Sequence, residues 1–353
     1  MGCEGCINVL YASDNGFSDI LGVSLQSLLS TTKQTVSVYV VSESITAKNK
    51  ENLFQVCASF HQYISFIDMP SLSTANDQKI DIGRYSISMF SRFMVDTLLP
   101  RDIHRLIYLD CDTLVVQDIS MLWSLELSGK TMGAMNDLRS SLYCKNLGME
   151  VGGCYVNSGV LLIDLDRYRE LKLESILLEG VIKYNGLLEF PDNDILCKTL
   201  AQEIIQLPHQ FNAISLLYSC SFSELRRMRH PSHMITKSAY EDAVVHPAIV
   251  HFTSCVSFKS RPWEAQCNHP MVNLFLEIRA QTPWANMPLR KNEMRLKKRF
   301  VLAFSSKCPR RLFVFVMGIT HAYIKPIWQF FTKRRYSKVF HERLMLNTKC
   351  NKS

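Results

Sequence analysis

The sequence predicts an α/β domain built on a mainly parallel sheet with helices on both faces. Two observations lead there. Short apolar runs alternate with helix-length amphipathic stretches between residues 7 and 184, and Asp14, Asp110 and Asp112 each stand at the carboxyl end of an apolar run. Open α/β sheets bind ligands beyond those ends, so the three aspartates predict one pocket.

Residues 7–12 are an apolar run stopped by Ser13-Asp14-Asn15-Gly16, which reads as a buried strand entering a turn. Over residues 18–30, Ile20, Leu21, Val23, Leu25, Leu28 and Leu29 suit a helix. Residues 36–41 read as a second strand, 47–60 as a helix and 64–67 as a third strand. A helix over 89–98 is stopped by Pro100. Residues 105–109 form another buried strand that runs into Asp110-Cys111-Asp112. Strands over 131–135 and 159–165 and an amphipathic helix over 166–184 complete the set. Asp164 and Asp166 read as caps of that last helix. No internal repeat is visible.

With 353 residues, 47% apolar and 20% charged, the chain can bury a sizeable core, and disorder throughout is excluded. The net charge of +8 is unevenly spread: residues 290–353 hold 17 of the 40 Lys and Arg but only 2 of the 32 acids, leaving the body near −7 and the tail near +15. The reading is therefore a catalytic domain over 1–285 and a basic, mainly helical region over 286–353. In that region Arg290-Lys291, Lys297-Lys298-Arg299, Arg310-Arg311 and Lys333-Arg334-Arg335 alternate with bulky apolar residues. The apolar stretch 312–324 contains His321 and is followed by Lys325-Pro326, too short to span a bilayer. A segment lying on an anionic membrane surface fits it. No nucleic-acid motif accompanies the basic residues, so nucleic acid is not an expected partner.

The first ten residues carry no secretory signal, and Cys6 stands where a myristoylation pattern needs Ser or Thr. Twelve cysteines without an export signal read as reduced thiols, and Cys3-x-x-Cys6 lacks the second ligand pair that zinc requires.

The chemistry starts at Asp110 and Asp112. Two carboxylates at the mouth of a sheet repel each other unless a cation lies between them, and hard oxygen ligands favour Mg²⁺ or Mn²⁺. His251 follows the apolar run Ala248-Ile249-Val250 and so stands at another strand end. An imidazole added to two carboxylates shifts the preference to Mn²⁺. On the residues alone, Asn157 reads as a turn cap, Arg92 as a solvated helix residue and Trp263 as a packing residue, while Asp137, just past a strand, is a candidate sugar contact.

The chain resembles glycosyltransferase family 8, retaining enzymes that include bacterial lipopolysaccharide glucosyl- and galactosyltransferases. The resemblance spans about residues 7–270 and rests on motifs in shared order: Tyr11-Ala12-Ser13-Asp14-Asn15, Ser91-Arg92-Phe93, Tyr108-Leu109-Asp110-Cys111-Asp112, the run from Tyr155-Val156-Asn157-Ser158-Gly159 to Asp164, Pro191-Asp192-Asn193-Asp194-Ile195-Leu196, His251-Phe252-Thr253 and Arg261-Pro262-Trp263. It implies the GT-A fold, a UDP-sugar donor carrying glucose or galactose, and a glycan or lipid-linked saccharide acceptor. Asp110, Asp112 and His251 would ligate Mn²⁺, with Mg²⁺ as the alternative, and the metal would neutralise the UDP leaving group. Ala12, Asp14, Asn15 and Cys111 would line the nucleoside site; Arg92, Asp194, Ser254 and Arg261 would serve the phosphates and donor sugar. Asn157, Asp192 and Asn193 would face the reacting centre. The resemblance also implies a front-face retaining mechanism and a bacterial enzyme peripheral on the cytoplasmic face of the inner membrane.

Two departures stand out. Asn193 replaces the family's usual Gln and is one methylene shorter. Ser254 stands where a Gly commonly follows the metal histidine, leaving Lys259 and Arg261 as rival phosphate ligands. The competing readings are a nucleotide-sugar binding protein without transferase activity and a nucleotidyltransferase. The intact Asp110, Asp112 and His251 argue against the first, and the lack of a Gly-rich basic loop near the N-terminus against the second.

Overall fold

The computed structural model describes residues 5–70, 86–149, 154–184, 188–255, 257–292, 294 and 296–332. Cys3 of the CxxC pair and the Lys333-Arg334-Arg335 cluster fall outside the described residues.

Seven strands form the central sheet: β1 (Ile7–Asp14), β2 (Val36–Glu43), β3 (Tyr63–Asp68), β4 (Arg105–Leu109), β6 (Met132–Asn136), β7 (Val156–Asp164) and β8 (Ile204–Gln206). Their order is β3-β2-β1-β4-β7-β6-β8. Only β7 runs against its neighbours, so the sheet is mainly parallel, as expected. β5 (Thr113–Val115), β9 (Ala213–Ile214) and β10 (Ile249–His251) form a small second sheet in the order β5-β10-β9.

Strand alternation builds a core on each face. Ile7, Val9 and Tyr11 of β1 pack with Val36, Val38 and Val40 of β2, while Leu10, Tyr39 and Val41 face the opposite layer with Tyr108 and Leu161. Helix Ser18–Thr31 is buried along most of its length, and Gly22 lets it approach Trp284: a β-carbon there would lie 2.2 Å from the indole.

Two predicted helices are broken. Residues 87–98 form a 3₁₀ turn (Ile87–Phe93) and a short helix (Val95–Leu98). Residues 90–95 are all buried, so this stretch has no solvent face for a regular amphipathic helix. The stretch read as one helix over 166–184 is two, Leu165–Glu170 and Leu173–Lys183, divided where Lys172 takes a left-handed conformation at φ 52°. Asp164 caps the first of them by accepting from the Arg167 amide at 3.0 Å, whereas Asp166 pairs with His104 at 2.9 Å.

The basic region is helical from Leu296 to Lys307, from Arg310 to Ile319 and from Lys325 to Thr332, with a π-helical turn over Thr320–Ile324. It docks on the body. Phe313, Val314 and Met317 pack with Met135, Leu138, Leu225 and Met228. Gly318 lies against helix Phe222–Arg229 so closely that a β-carbon would meet the Arg227 carbonyl oxygen at 2.4 Å. No helix among the described residues is long and apolar enough to cross a membrane.

Candidate active site

The turn after β4 sets the first two ligands. The Asp110 amide donates to the Gly159 carbonyl on β7 at 2.8 Å, and the Asp110 carbonyl accepts from the Thr113 amide and hydroxyl at 3.2 and 2.8 Å. The small sheet sets the third, because antiparallel pairing of β10 with β5 puts His251 opposite Thr113, next to Asp112. The Phe252 amide donates to the Asp112 carbonyl at 2.9 Å and locks that register.

The result is a three-ligand cluster. One atom each from Asp110, Asp112 and His251 lies within 4.8 Å of the others. His251 Nε2 is 3.1 Å from Asp112 Oδ1 and 3.7 Å from Asp110 Oδ2. His251 Nδ1 is 3.0 Å from Asn212 Oδ1, and Asn212 Nδ2 donates to Asn157 Oδ1 at 2.9 Å. That chain commits the Nδ1 proton to Asn212 and turns the Nε2 lone pair toward both carboxylates, an arrangement that suits a divalent cation. Gly159 is required beside it, since a β-carbon there would lie 2.2 Å from His251 Cε1 and 2.7 Å from Asp110 Oδ2.

Burial pushes the Asp110 carboxyl up, against the pull of Arg92 and His251. At Asp112 burial acts the same way but is outweighed by His251 and Arg261, which hold the group at about 2. Burial works against charging His251, and the two aspartates overcome it and push the imidazole up.

Arg92 is 4% exposed and lies behind the carboxylates rather than in solvent. Its guanidinium reaches Asp110 at 2.8 Å, Asp192 at 3.1 Å, the Tyr108 hydroxyl at 3.0 Å and the Ser158 carbonyl at 2.7 Å, and Nε donates to the Met89 carbonyl at 2.9 Å. It is a clamp that orients Asp110 and Asp192. Arg261 reaches Asp112 at 2.7 Å and the Ser254 hydroxyl at 2.9 Å, while the exposed Lys259 lies off the cavity. Trp263 packs, edge-on to Phe17 with ring centroids 6.1 Å apart.

Asp110, Asp112, Asn157, Asp192, Asn193, His251, Ser254 and Arg261 line one cavity of about 620 Å³. Asn193 Oδ1 accepts from the Ser158 amide at 2.8 Å, and Asp192 accepts from the Ser158 hydroxyl at 2.7 Å. The other proposed donor residues do not line that cavity. Asp14 accepts from the Phe17 amide at 2.9 Å, and Asn15 Oδ1 accepts from the Thr46 amide at 3.0 Å. The Cys111 thiol donates to the Ala12 carbonyl at 3.0 Å across the ends of β1 and β4, and burial pushes it up. These four gather at the carboxyl ends of the paired strands β1 and β4. Asp194 is fully buried behind the wall, where the hydroxyls of Tyr143 and Tyr155 donate to it at 2.8 and 2.7 Å.

Sequence reasoning missed Asn212, Arg139, Arg229 and His321. Asn212 carries no local signal, because what singles it out is its contact with a residue 39 positions away. Asp137, flagged only as a sugar contact, lines the cavity and pairs with Arg139 at 2.6 Å.

The chain is similar to known proteins in sequence and in fold. The Glycosyl transferase family 8 profile matches residues 8–267. General stress protein A of Bacillus subtilis is 24% identical over 283 residues, covering 79% of this chain and 94% of the relative. The lipopolysaccharide 1,2-glucosyltransferase of Escherichia coli K12 is 25% identical over 305 residues, 84% of each chain. The galactosyltransferase LgtC, solved with donor and acceptor sugar analogs, superposes with a TM-score of 0.66 at 22% identity, covering 79% of this chain and 99% of that one. With its sheet order, its Asp-x-Asp turn and three quarters of its length inside the matched region, the chain belongs to glycosyl transferase family 8.

Proposed function

We propose that this protein transfers a hexose, glucose or galactose, from its UDP-sugar to a saccharide of a cell-surface glycan such as lipopolysaccharide, with retention of configuration. The observation that carries the reading is the Asp110–Asp112–His251 cluster opening into a cavity that continues past Asn157, Asp192 and Asn193. The donor set fits Mn²⁺ better than Mg²⁺, since one of three ligands is an imidazole. When bound, the ion supplies charge neutralisation for the departing diphosphate.

The chain's own residues divide the remaining tasks. Arg261 presents a guanidinium fork on the diphosphate side, and its hold on Asp112 and Ser254 keeps that fork aimed. Ala12, Asp14, Asn15 and Cys111 form the nucleoside rim. Asn157, Asp192 and Asn193 bind the donor sugar. The Asp192 carboxylate is already engaged by Arg92 and Ser158, which makes it a poor nucleophile. A front-face reaction follows: the acceptor hydroxyl attacks the anomeric carbon, the bond to UDP breaks on the same face, and the acceptor proton passes to the leaving phosphate.

The C-terminal region favours attachment to an anionic membrane surface, taken as the cytoplasmic face of the inner membrane. Phe300, Phe315, Trp328 and Phe331 are 55–74% exposed among basic residues. The enzymatic reading is tested by UDP release from UDP-glucose and UDP-galactose with Mn²⁺ and with chelator. Metal-dependent release from one of them supports it, and none from any UDP-sugar overturns it.

A further inference from the structure

Beyond Asn193 the cavity changes sign. Its far end is walled by Arg139, Arg229 and His321, and a smaller pocket of about 30 Å³ that shares these three extends toward Lys325 and Gln329. The two arginines come from the body, whereas the other three come from the C-terminal region, so the docked helices complete this wall. His321 reaches it from the π-helical turn, a local distortion often found where a side chain must be aimed at a site.

The charges here are not balanced. Arg139 is paired with Asp137 at 2.6 Å and stacks over Phe190 at 4.2 Å, and Lys325 is 3.4 Å from Glu189. Arg229 forms no ion pair among the described residues, and its buried Nε has no hydrogen-bond partner. Gln329 is 1% exposed, with neither its amide oxygen nor its nitrogen bonded. A guanidinium with its Nε sealed from solvent and unpartnered, and a buried amide without a partner, are both costly. Buried groups of this kind call for a ligand or an ordered water. Burial, Arg229, Lys325 and Arg139 together hold His321 down at about 4, which marks the spot as electropositive.

We infer that the far end of the cavity is an acceptor subsite for an anionic group, a phosphate or a carboxylate carried by the acceptor saccharide, held by Arg229 with Arg139, His321 and Gln329. The inference rests on the transferase reading for what occupies the rest of the cavity. The one carboxylate that acts on Arg229, Asp137, is already paired with Arg139, so an anion there supplies the second negative charge and accepts from the unused N–H groups of Arg229.

The test is calorimetric titration of the full chain, with the donor site saturated by UDP and Mn²⁺, using glucose 6-phosphate, glucuronate and glucose. The expected result is that one or both anions bind about tenfold or more tighter than glucose. Preference for glucose 6-phosphate names a phosphorylated acceptor, and preference for glucuronate a carboxylated one. Arg229→Gln abolishes the preference and Arg229→Lys retains part of it. Gln329→Leu weakens it in a chain that keeps the Arg229 charge, which covers failure of the first variant to fold. Equal binding of all three sugars by the wild type, or an undiminished preference in Arg229→Gln, overturns the inference. Metal-dependent UDP release is read separately: its loss in the wild type defeats the transferase reading, whereas intact release without anion preference defeats only this one.

Discussion

His251 Nδ1 lies 3.0 Å from Asn212 Oδ1. Because Asn212 Nδ2 is spent on Asn157, its oxygen must face the imidazole, and the imidazole must donate from Nδ1. The parallel pairing of β10 with β9 sets Val250 beside Ala213 and brings the two side chains together, and they decide which nitrogen faces Asp110 and Asp112. Asn212→Leu is predicted to weaken Mn²⁺ binding about 10- to 100-fold, the usual cost of losing a partner that orients a metal histidine. Mn²⁺ titration by electron paramagnetic resonance checks it, and unchanged affinity would show that Asn212 orients nothing.

Gly159 sets a second constraint. Any side chain at this position enters the space of His251 and Asp110, with contacts of 2.2 and 2.7 Å for a β-carbon alone. Gly159→Ala should therefore displace at least one ligand, lowering metal-dependent UDP release by about 100-fold. Overpacking of this size also costs roughly 1–3 kcal/mol of stability. Wild-type release in a folded Gly159→Ala protein would rule out the close packing described for the cluster.

Much of this arrangement is legible in the sequence. Asp110, Asp112 and His251 announce themselves as polar residues ending apolar runs, and the mainly parallel sheet follows from the alternation of elements, whereas the antiparallel insertion of β7 between β4 and β6 does not. Arg92 illustrates the limit: helical periodicity places it in solvent, whereas Asp110 and Asp192 draw it inward as a buried clamp. Asp194 shows the same limit in reverse, an acid in a donor-site motif whose carboxylate is taken up by two tyrosines. Local patterns register which residues are polar and where elements end. They do not register which distant partner saturates a given side chain, and that partner decides whether it faces the cavity.

Besides His321, two further histidines with lowered pKa make stability depend on pH. Burial holds His209 and His269 at about 4, below the ordinary 6.5. Between those values the unfolded chain binds protons that the folded chain excludes, so stability rises with pH across the window and is lost on acidification. Asp194, raised to about 6 by burial, acts in the opposite direction, so single-residue comparison is the cleaner measurement. His209→Gln keeps a donor for the Asn136 carbonyl and removes the titration. The stability difference between pH 7 and pH 4.5, from urea unfolding, should shrink by roughly 2–3 kcal/mol in this variant. An unchanged difference would mean that His209 already titrates normally in the folded chain.

The exposed aromatics of the C-terminal region predict membrane binding that needs no deletion to test. Phe300, Phe315 and Phe331 are 73%, 62% and 74% exposed, and inserting each into an interface is worth about 2 kcal/mol. A Phe300→Ser, Phe315→Ser, Phe331→Ser triple variant should lose nearly all flotation with anionic liposomes while its core stays packed through Phe313, Val314 and Met317. Equal flotation of variant and wild type would place the membrane contact elsewhere or nowhere.

The central claim is that Asp110, Asp112 and His251 hold the cation through which the donor's diphosphate is bound. Calorimetric titration with UDP, in Mn²⁺ and in chelator, for the wild type and for an Asp110→Asn, Asp112→Asn double variant, tests it most directly. The account predicts UDP binding by the wild type in Mn²⁺, at least about tenfold weaker binding in chelator, and no Mn²⁺ enhancement in the double variant. Equal UDP affinity with and without the metal, or a full Mn²⁺ effect in the double variant, would contradict it.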